Sequence, residues 1–195
     1  MTVPEDRDVA VRTARLVLRG FTARDGAALA ALHGDPEVMH FIGTGRPVPR
    51  DEVLAQTLPR FVDGADRPGG PVGALGVRAA EEAATGRFVG WFALLPTRHG
   101  RPEEAELGYR LCRTAWGRGH ATEGARALVA RAFAEPGVQR VTATTMTVNT
   151  RSRRVMEKAG LRYVRTFFEE WPDHIEGAEH GDVEYAVTRR EWTAR

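Results

Sequence analysis

The sequence predicts one mixed α/β domain built on a largely antiparallel central sheet with a parallel strand pair and flanking helices. Three observations predict it. Segments of alternating apolar and polar residues interleave with segments at helical spacing, in the order β-α-α-β-β-β-α-β-α-β-β. One glycine-led helix joins two strands, and a crossover of that kind makes the strands parallel. The 195 residues, 42% hydrophobic and 28% charged, suit a single core, and no repeat or linker divides them, so one domain spans 1–195.

The elements follow in order. Thr13–Phe21 alternates and reads as a first strand. Thr22 stands three residues before Asp25, the spacing of a capping box, and Ala28, Leu29 and Leu32 continue at helical spacing. A second helix follows Pro49, with Leu54, Leu58, Phe61 and Val62 on one face. Gly64–Pro71, rich in glycine and proline, is a loop. Strands are expected at Val72–Arg78, Arg87–Leu95 and Glu104–Cys112, the last two joined by a turn-rich connection that suits antiparallel pairing. A helix from about Thr122 to Ala134 carries an apolar stripe of Ala121, Ala125, Leu128, Val129, Ala132 and Phe133. Val138–Val148 is β-branched and reads as a central strand. Asn149 opens a short helix that Gly160 closes, and strands near Leu161–Phe168 and Asp182–Thr188 finish the chain.

Composition narrows the function. Cys112 is the single cysteine, so neither an intramolecular disulfide nor a cysteine metal cluster is available, and no histidine spacing suggests a metal. The net charge is +2 despite a pI near 9, with Lys158 the single lysine and the arginines scattered among acids. That pattern argues against nucleic acid and for local anion sites. No apolar run reaches membrane-spanning length, and the first fifteen residues lack a signal-peptide core. A cytoplasmic location with no membrane partner is the expectation. Oligomeric state stays open, a homodimer included.

The stretch CRTAWGRGHATEGARALVARAF, from Cys112 to Phe133, joins two glycines to an uninterrupted helix pattern. Taken alone it has two readings, a tight strand-to-helix turn or a cradle whose backbone amides hold a phosphate. No Gly-Lys-Ser/Thr follows, which excludes the ATPase phosphate loop, and Thr122 stands where a dinucleotide fingerprint has its third glycine.

AELGYRLCRTAWGRGHATEGARALV and VTATTMTVNTRSRRVMEKAGLRYV together strongly resemble the GNAT superfamily of acyl-CoA N-acyltransferases. More narrowly they are similar to the branch containing the bacterial ribosomal-protein (Rim-type) N-terminal acetyltransferases. The resemblance runs from about Thr13 to Trp192 and is most specific between Glu106 and Gly160. It implies acetyl-CoA as cosubstrate, no metal, and a primary amine as acceptor. It also implies that the parallel pair splays, so that the pantetheine arm pairs with backbone at Leu111 to Arg113. Trp116, Gly117, Arg118, Gly119, His120, Ala121 and Thr122 would then bind its pyrophosphate. Trp116 departs from the broad superfamily pattern, which begins with Gln or Arg.

Acetyl transfer needs a neutral amine, a polarised carbonyl and a proton for the departing thiolate. Glu106, on the polar face of its strand with Gly108 beside it, is the expected general base; the competing reading is a solvent-facing glutamate. Asn149 and Ser152 lie at the strand-to-helix turn, where capping alone explains both. The resemblance adds contact with the cofactor arm for Asn149 and thiolate protonation for Ser152. Many superfamily members carry a tyrosine where this chain has Met156, which holds no proton to donate.

An α-amine, with a pKa near ~7.7–8.0 against ~10.4 for a lysine-type amine, is easier to deprotonate by roughly 3–4 kcal/mol. The favoured acceptor is therefore a protein N-terminal α-amine, with a small amine such as a polyamine, amino acid derivative or antibiotic as the runner-up. Glu169 and Trp171, in the acidic segment Phe167–Asp182, are the expected acceptor contacts, set against a plain solvated loop. A non-catalytic acyl-CoA-binding regulator is the rival from another class.

Overall fold

The computed structural model describes residues 9–63, 76–97, 101–169 and 175–194. Eight strands form one sheet: β1 (Val9–Arg12), β2 (Leu16–Arg19), β3 (Gly76–Glu82), β4 (Phe88–Pro96), β5 (Glu104–Leu111), β6 (Arg140–Met146), β7 (Arg162–Phe167) and β8 (Asp182–Thr188). Their spatial order is β1-β2-β3-β4-β5-β6-β8-β7. Every neighbouring pair is antiparallel except β5 and β6.

The helices are α1 (Gly26–His33), α2 (Pro36–Met39), α3 (residues 50–63), α4 (His120–Ala134), α5 (Thr150–Ala159) and α6 (Arg189–Thr193). The sheet has a core on each face. Phe92, Leu94, Leu107 and Leu111 pack with Leu128, Val129 and Phe133 of α4 and Met156 of α5. On the other face Phe21, Leu29, Val53 and Leu58 pack with Trp91 and Phe61. The period-2 pattern of β4 explains the division, since Trp91 and Phe92 point to opposite sides.

The stripe expected on the glycine-led helix is buried as expected, with Ala125, Leu128, Val129, Ala132 and Phe133 in the core and Ala121 half-buried beside it. The helix begins two residues early, at His120, because Gly119 takes a left-handed conformation (φ 82°) that turns the chain into it. Thr22 and Asp25 form the expected capping contact, the Thr22 N–H donating to Asp25 Oδ2 at 2.8 Å.

Three expectations need correction. Thr13–Phe21 is not one strand. Thr13 bonds back to Leu16 through its N–H, and the Leu16 N–H to the Thr13 hydroxyl, so a turn separates β1 from β2. On the second helix Leu54, Leu58 and Phe61 pack into the core as expected, but Val62 is exposed, and Val53, at the start of a π turn over Val53–Thr57, is buried beside them. The third strand runs on to Glu82 rather than ending at Arg78, and residues 72–75, with the glycine- and proline-rich loop 64–71, lie outside the described residues. Two short helices, α2 and α6, were not expected.

The β5–β6 pairing positions the site. It consists of Glu104 with Arg140, Ala105 with Val141 and Glu106 with Thr142, and there it stops. Both strands continue, β5 to Leu111 and β6 to Met146, each held on its far side by β4 and β8. Past Glu106 the sheet therefore opens into a slot, the splay that the resemblance implied.

Candidate active site

Two clefts meet at this slot. The first has a volume of about 990 Å³ and contains Glu106, Gly108, Thr144, Phe168 and Glu169. The second, of about 940 Å³, contains Trp116, Gly117, Gly119, Ala121 and Thr122 together with α5. Six residues line both: Phe41, Ile42, Tyr109, Arg110, Asn149 and Ser152.

In the second cleft the glycine turn has the form of an anion cradle. Gly117 (φ 71°) and Gly119 (φ 82°) are left-handed, and a side chain at Gly117 would meet nothing within 4 Å. The first backbone bond at the start of α4 is from Glu123 to the Gly119 carbonyl. The amides of His120, Ala121 and Thr122 thus have no partner within the helix and carry its positive end. Helix α5 adds Arg151, Arg154 and Lys158 to the same cleft. These donors suit a diphosphate, so the residues present fit coenzyme A. The three cations recur at helical spacing, a signal that was legible in the sequence and was missed.

Not every expected binder faces this cleft. Arg118 turns away to pair with Glu82 at 3.0 Å, and its carbonyl accepts from Arg15. The His120 side chain is buried with no hydrogen-bond partner for Nδ1, so only its amide is presented. Arg113 lies in a 3-10 turn and pairs with Asp35 at 3.3 Å rather than extending the strand edge. The Trp116 indole donates to the Leu111 carbonyl at 2.9 Å and carries Arg151 over its ring at 5.3 Å. Trp116 ties the glycine turn to the end of β5. That bond takes up a Leu111 carbonyl that was expected to pair with the pantetheine arm. The Cys112 N–H donates to Val89 on β4, so strand alternation turns the Leu111 N–H and the Tyr109 backbone groups toward the slot.

At the junction, Asn149 caps α5 by accepting from the Ser152 N–H at 3.1 Å and donates to Thr145 at 3.2 Å. Ser152 faces Tyr109 across the slot. The two hydroxyls are 2.9 Å apart, and the phenol also donates to the Ser152 carbonyl at 3.1 Å. Burial pushes the Tyr109 pKa up to about 12, so its proton is held at neutral pH. Ser152 is legible in the sequence but its partner 43 positions away is not, because only the strand-to-helix crossing brings them together.

Glu106 is half-buried in the first cleft and accepts from the Thr144 hydroxyl at 3.3 Å. Gly108 stands beside it against Trp91 and Ala93, as the alternation of β5 requires. Glu169 lines the same cleft and is exposed. Trp171 lies outside the described residues, as do Glu170, Asp173, His174 and His99. Cys112 is half-buried, and burial pushes its thiol pKa up, which suits a packing role. Among the described residues no three His, Cys, Asp or Glu side chains gather as a metal site, and no helix is long and apolar enough to cross a membrane.

Comparison with known proteins agrees with this geometry. Residues 15–162 match the family model described as acetyltransferase (GNAT) domain. An FsC-acetyl coenzyme A-N(2)-transacetylase of Aspergillus fumigatus is 37% identical over 93% of this chain and 77% of its own length. A GNAT-family acetyltransferase of Bacillus anthracis superposes with a TM-score of 0.74, at 22% identity, over 92% of this chain and 98% of that one. The spermidine N-acetyltransferase of Vibrio cholerae, crystallised with CoA and spermine, does so with a TM-score of 0.71 at 16% identity, covering 93% and 99%. At such identities the two structures speak for the fold alone.

Proposed function

The chain belongs to the acetyltransferase (GNAT) domain family, and from that premise we propose that it acetylates the primary amine of a small molecule. Membership makes it an N-acetyltransferase with acetyl-CoA as cosubstrate. The acceptor is our own reading. The observation that carries it is the cleft of about 990 Å³ on the Glu106 side of the slot, a volume within the range of small-ligand sites. The relative at 37% identity supports it, since its name specifies one numbered nitrogen of one acceptor. A protein N-terminal α-amine is the second reading, favoured by the Trp-Gly-x-Gly-x-Ala-Thr-Glu segment starting at Trp116.

The geometry supports the following residue roles as part of this proposal. The amides at the start of α4, with Arg151, Arg154 and Lys158, hold the phosphates of acetyl-CoA, and Asn149 and the slot edge of β5 orient its arm. Glu106 takes the proton from the ammonium of the acceptor, directly or through one water, with the Thr144 hydroxyl fixing the carboxylate. The hydrogen-bonded pair of Tyr109 and Ser152 supplies the proton to the departing thiolate. Acetyl-CoA contributes the activated acyl group.

A competition reaction read by mass spectrometry tests the acceptor class. It contains acetyl-CoA, short peptides with free and blocked N-termini, and a set of small amines. Acetylated small amines with untouched peptides are the expected result; acetylation confined to free peptide N-termini moves the protein to the second reading.

A further inference from the structure

Arg110 lines both active-site clefts, and among the described residues no carboxylate meets its guanidinium. Its cross-strand neighbour on β4 is Trp91, and the guanidinium carbon stands 5.3 Å from that ring centroid. One of its terminal nitrogens lies 3.1 Å from His33 Nε2, which the Trp91 indole N–H also approaches at 3.4 Å. Burial, helped by the charge of Arg110, lowers the His33 pKa to about 4, so the ring is neutral and Nε2 accepts. The Arg110 Nε is buried with no hydrogen-bond partner among the described residues.

The other arginines lining the acceptor cleft are matched. Arg101 pairs with Glu104, Arg140 with Glu104 and Glu184, and Arg165 with Glu184. Arg110 has only a neutral imidazole and an aromatic face. Its desolvation is left uncompensated, and the cost shows as a pKa lowered to about 10. A guanidinium in that state gains most from an anion that takes two of its parallel N–H groups.

Its place says which anion. Glu106, Gly108 and Arg110 share one face of β5, with the bare glycine between a carboxylate and a guanidinium whose Cα atoms are about 13 Å apart along the strand. An amine directed to Glu106 and an anion directed to Arg110 fit that order. We propose that the acceptor is an amine carrying its own carboxylate, an amino acid or amino-acid-like small molecule, and that Arg110 binds the carboxylate. The inference rests on the small-molecule reading above and narrows it. His33 and Trp91 are positioning residues that hold the guanidinium against the cleft wall.

The competing source of an anion is acetyl-CoA itself, because Arg110 also borders the second cleft. Initial rates on matched pairs separate the two: 4-aminobutanoate and its amide, 6-aminohexanoate and its amide, with spermidine as the amine lacking an anion. Wild type should favour each acid over its amide by about tenfold or more in kcat/KM, the size of a charge-assisted bond. Arg110→Met should erase that preference and leave the KM for acetyl-CoA within about twofold. Arg110→Lys, which keeps the charge and loses the fork, should retain part of the preference, and thermal melts of both variants verify folding. Calorimetry of the same pairs on the coenzyme A complex reads recognition without turnover.

Equal rates and equal binding for acid and amide in wild type overturn the proposal and leave the small-molecule reading standing. So does acetylation of spermidine in preference to both acids. A KM for acetyl-CoA that rises in Arg110→Met while the acid preference survives assigns the guanidinium to the cosubstrate and overturns it equally. Acetylation of peptides in place of every small amine, with no acid bound above its amide, removes both readings.

Discussion

In the mechanism we propose, Glu106 and the Tyr109–Ser152 pair divide the two proton transfers between the two faces of β5. If Glu106 is the base, Glu106→Gln should lower kcat by about a hundredfold or more with affinity for acetyl-CoA unchanged, a difference that stopped-flow rates and calorimetry resolve together. Tyr109→Phe and Ser152→Ala should each slow turnover. Because their hydroxyls share one hydrogen bond, the double variant should be little worse than the more damaging single one. Additive losses would mean that the two act separately. Residues of this kind were unevenly legible. Glu106, Asn149 and Ser152 stood in recognisable segments. Tyr109 and Arg110 stood in the same segment, but their meaning lies in Ser152, His33 and Trp91, which reach them from other elements.

Elements announce themselves when one force dominates them. Helix α4 was readable because its stripe repeats at the helical period and a glycine begins it. Its closest contact was hidden: a methyl group at Gly124 would stand 2.3 Å from the Phe92 ring. Gly124→Ala should therefore destabilise the protein by about 1–3 kcal/mol through overpacking, despite the better helix propensity of alanine. Urea unfolding measures it. The β1–β2 break was unreadable for a different reason. Alternation continues through Thr13–Arg15, and the turn is held by Glu123, which accepts from the Thr13 hydroxyl at 2.6 Å and the Arg15 N–H at 2.8 Å from 110 and 108 positions away. The π turn in α3 left no mark on the apolar pattern that would separate it from a regular helix.

For the whole molecule, acid is the condition that loosens the face of the sheet that carries Trp91. His33 takes up a proton near 6.5 when unfolded but only near 4 in the fold, so the unfolded chain binds more protons between those values. Its contribution is complete above pH 6.5 and is lost as pH falls toward 4. Asp25 and Glu184, held low by Arg19 and by Arg165 with Arg140 against the opposing effect of burial, lose their contributions as pH falls from their unfolded values through the lower folded ones. Replacing His33 with Gln should flatten the upper part of the acid limb in urea unfolding measured at a series of pH values, and leave the lower part in place. The slot that both clefts reach has one more consequence. Apart from the six residues they share, the clefts have separate walls, so the two proposed seats do not compete for the same lining. Both reactants are then expected to occupy the enzyme together. Double-reciprocal plots at several fixed acceptor concentrations should intersect, whereas parallel lines would require an acylated enzyme, a role for which the half-buried Cys112, its thiol pKa raised, is poorly suited.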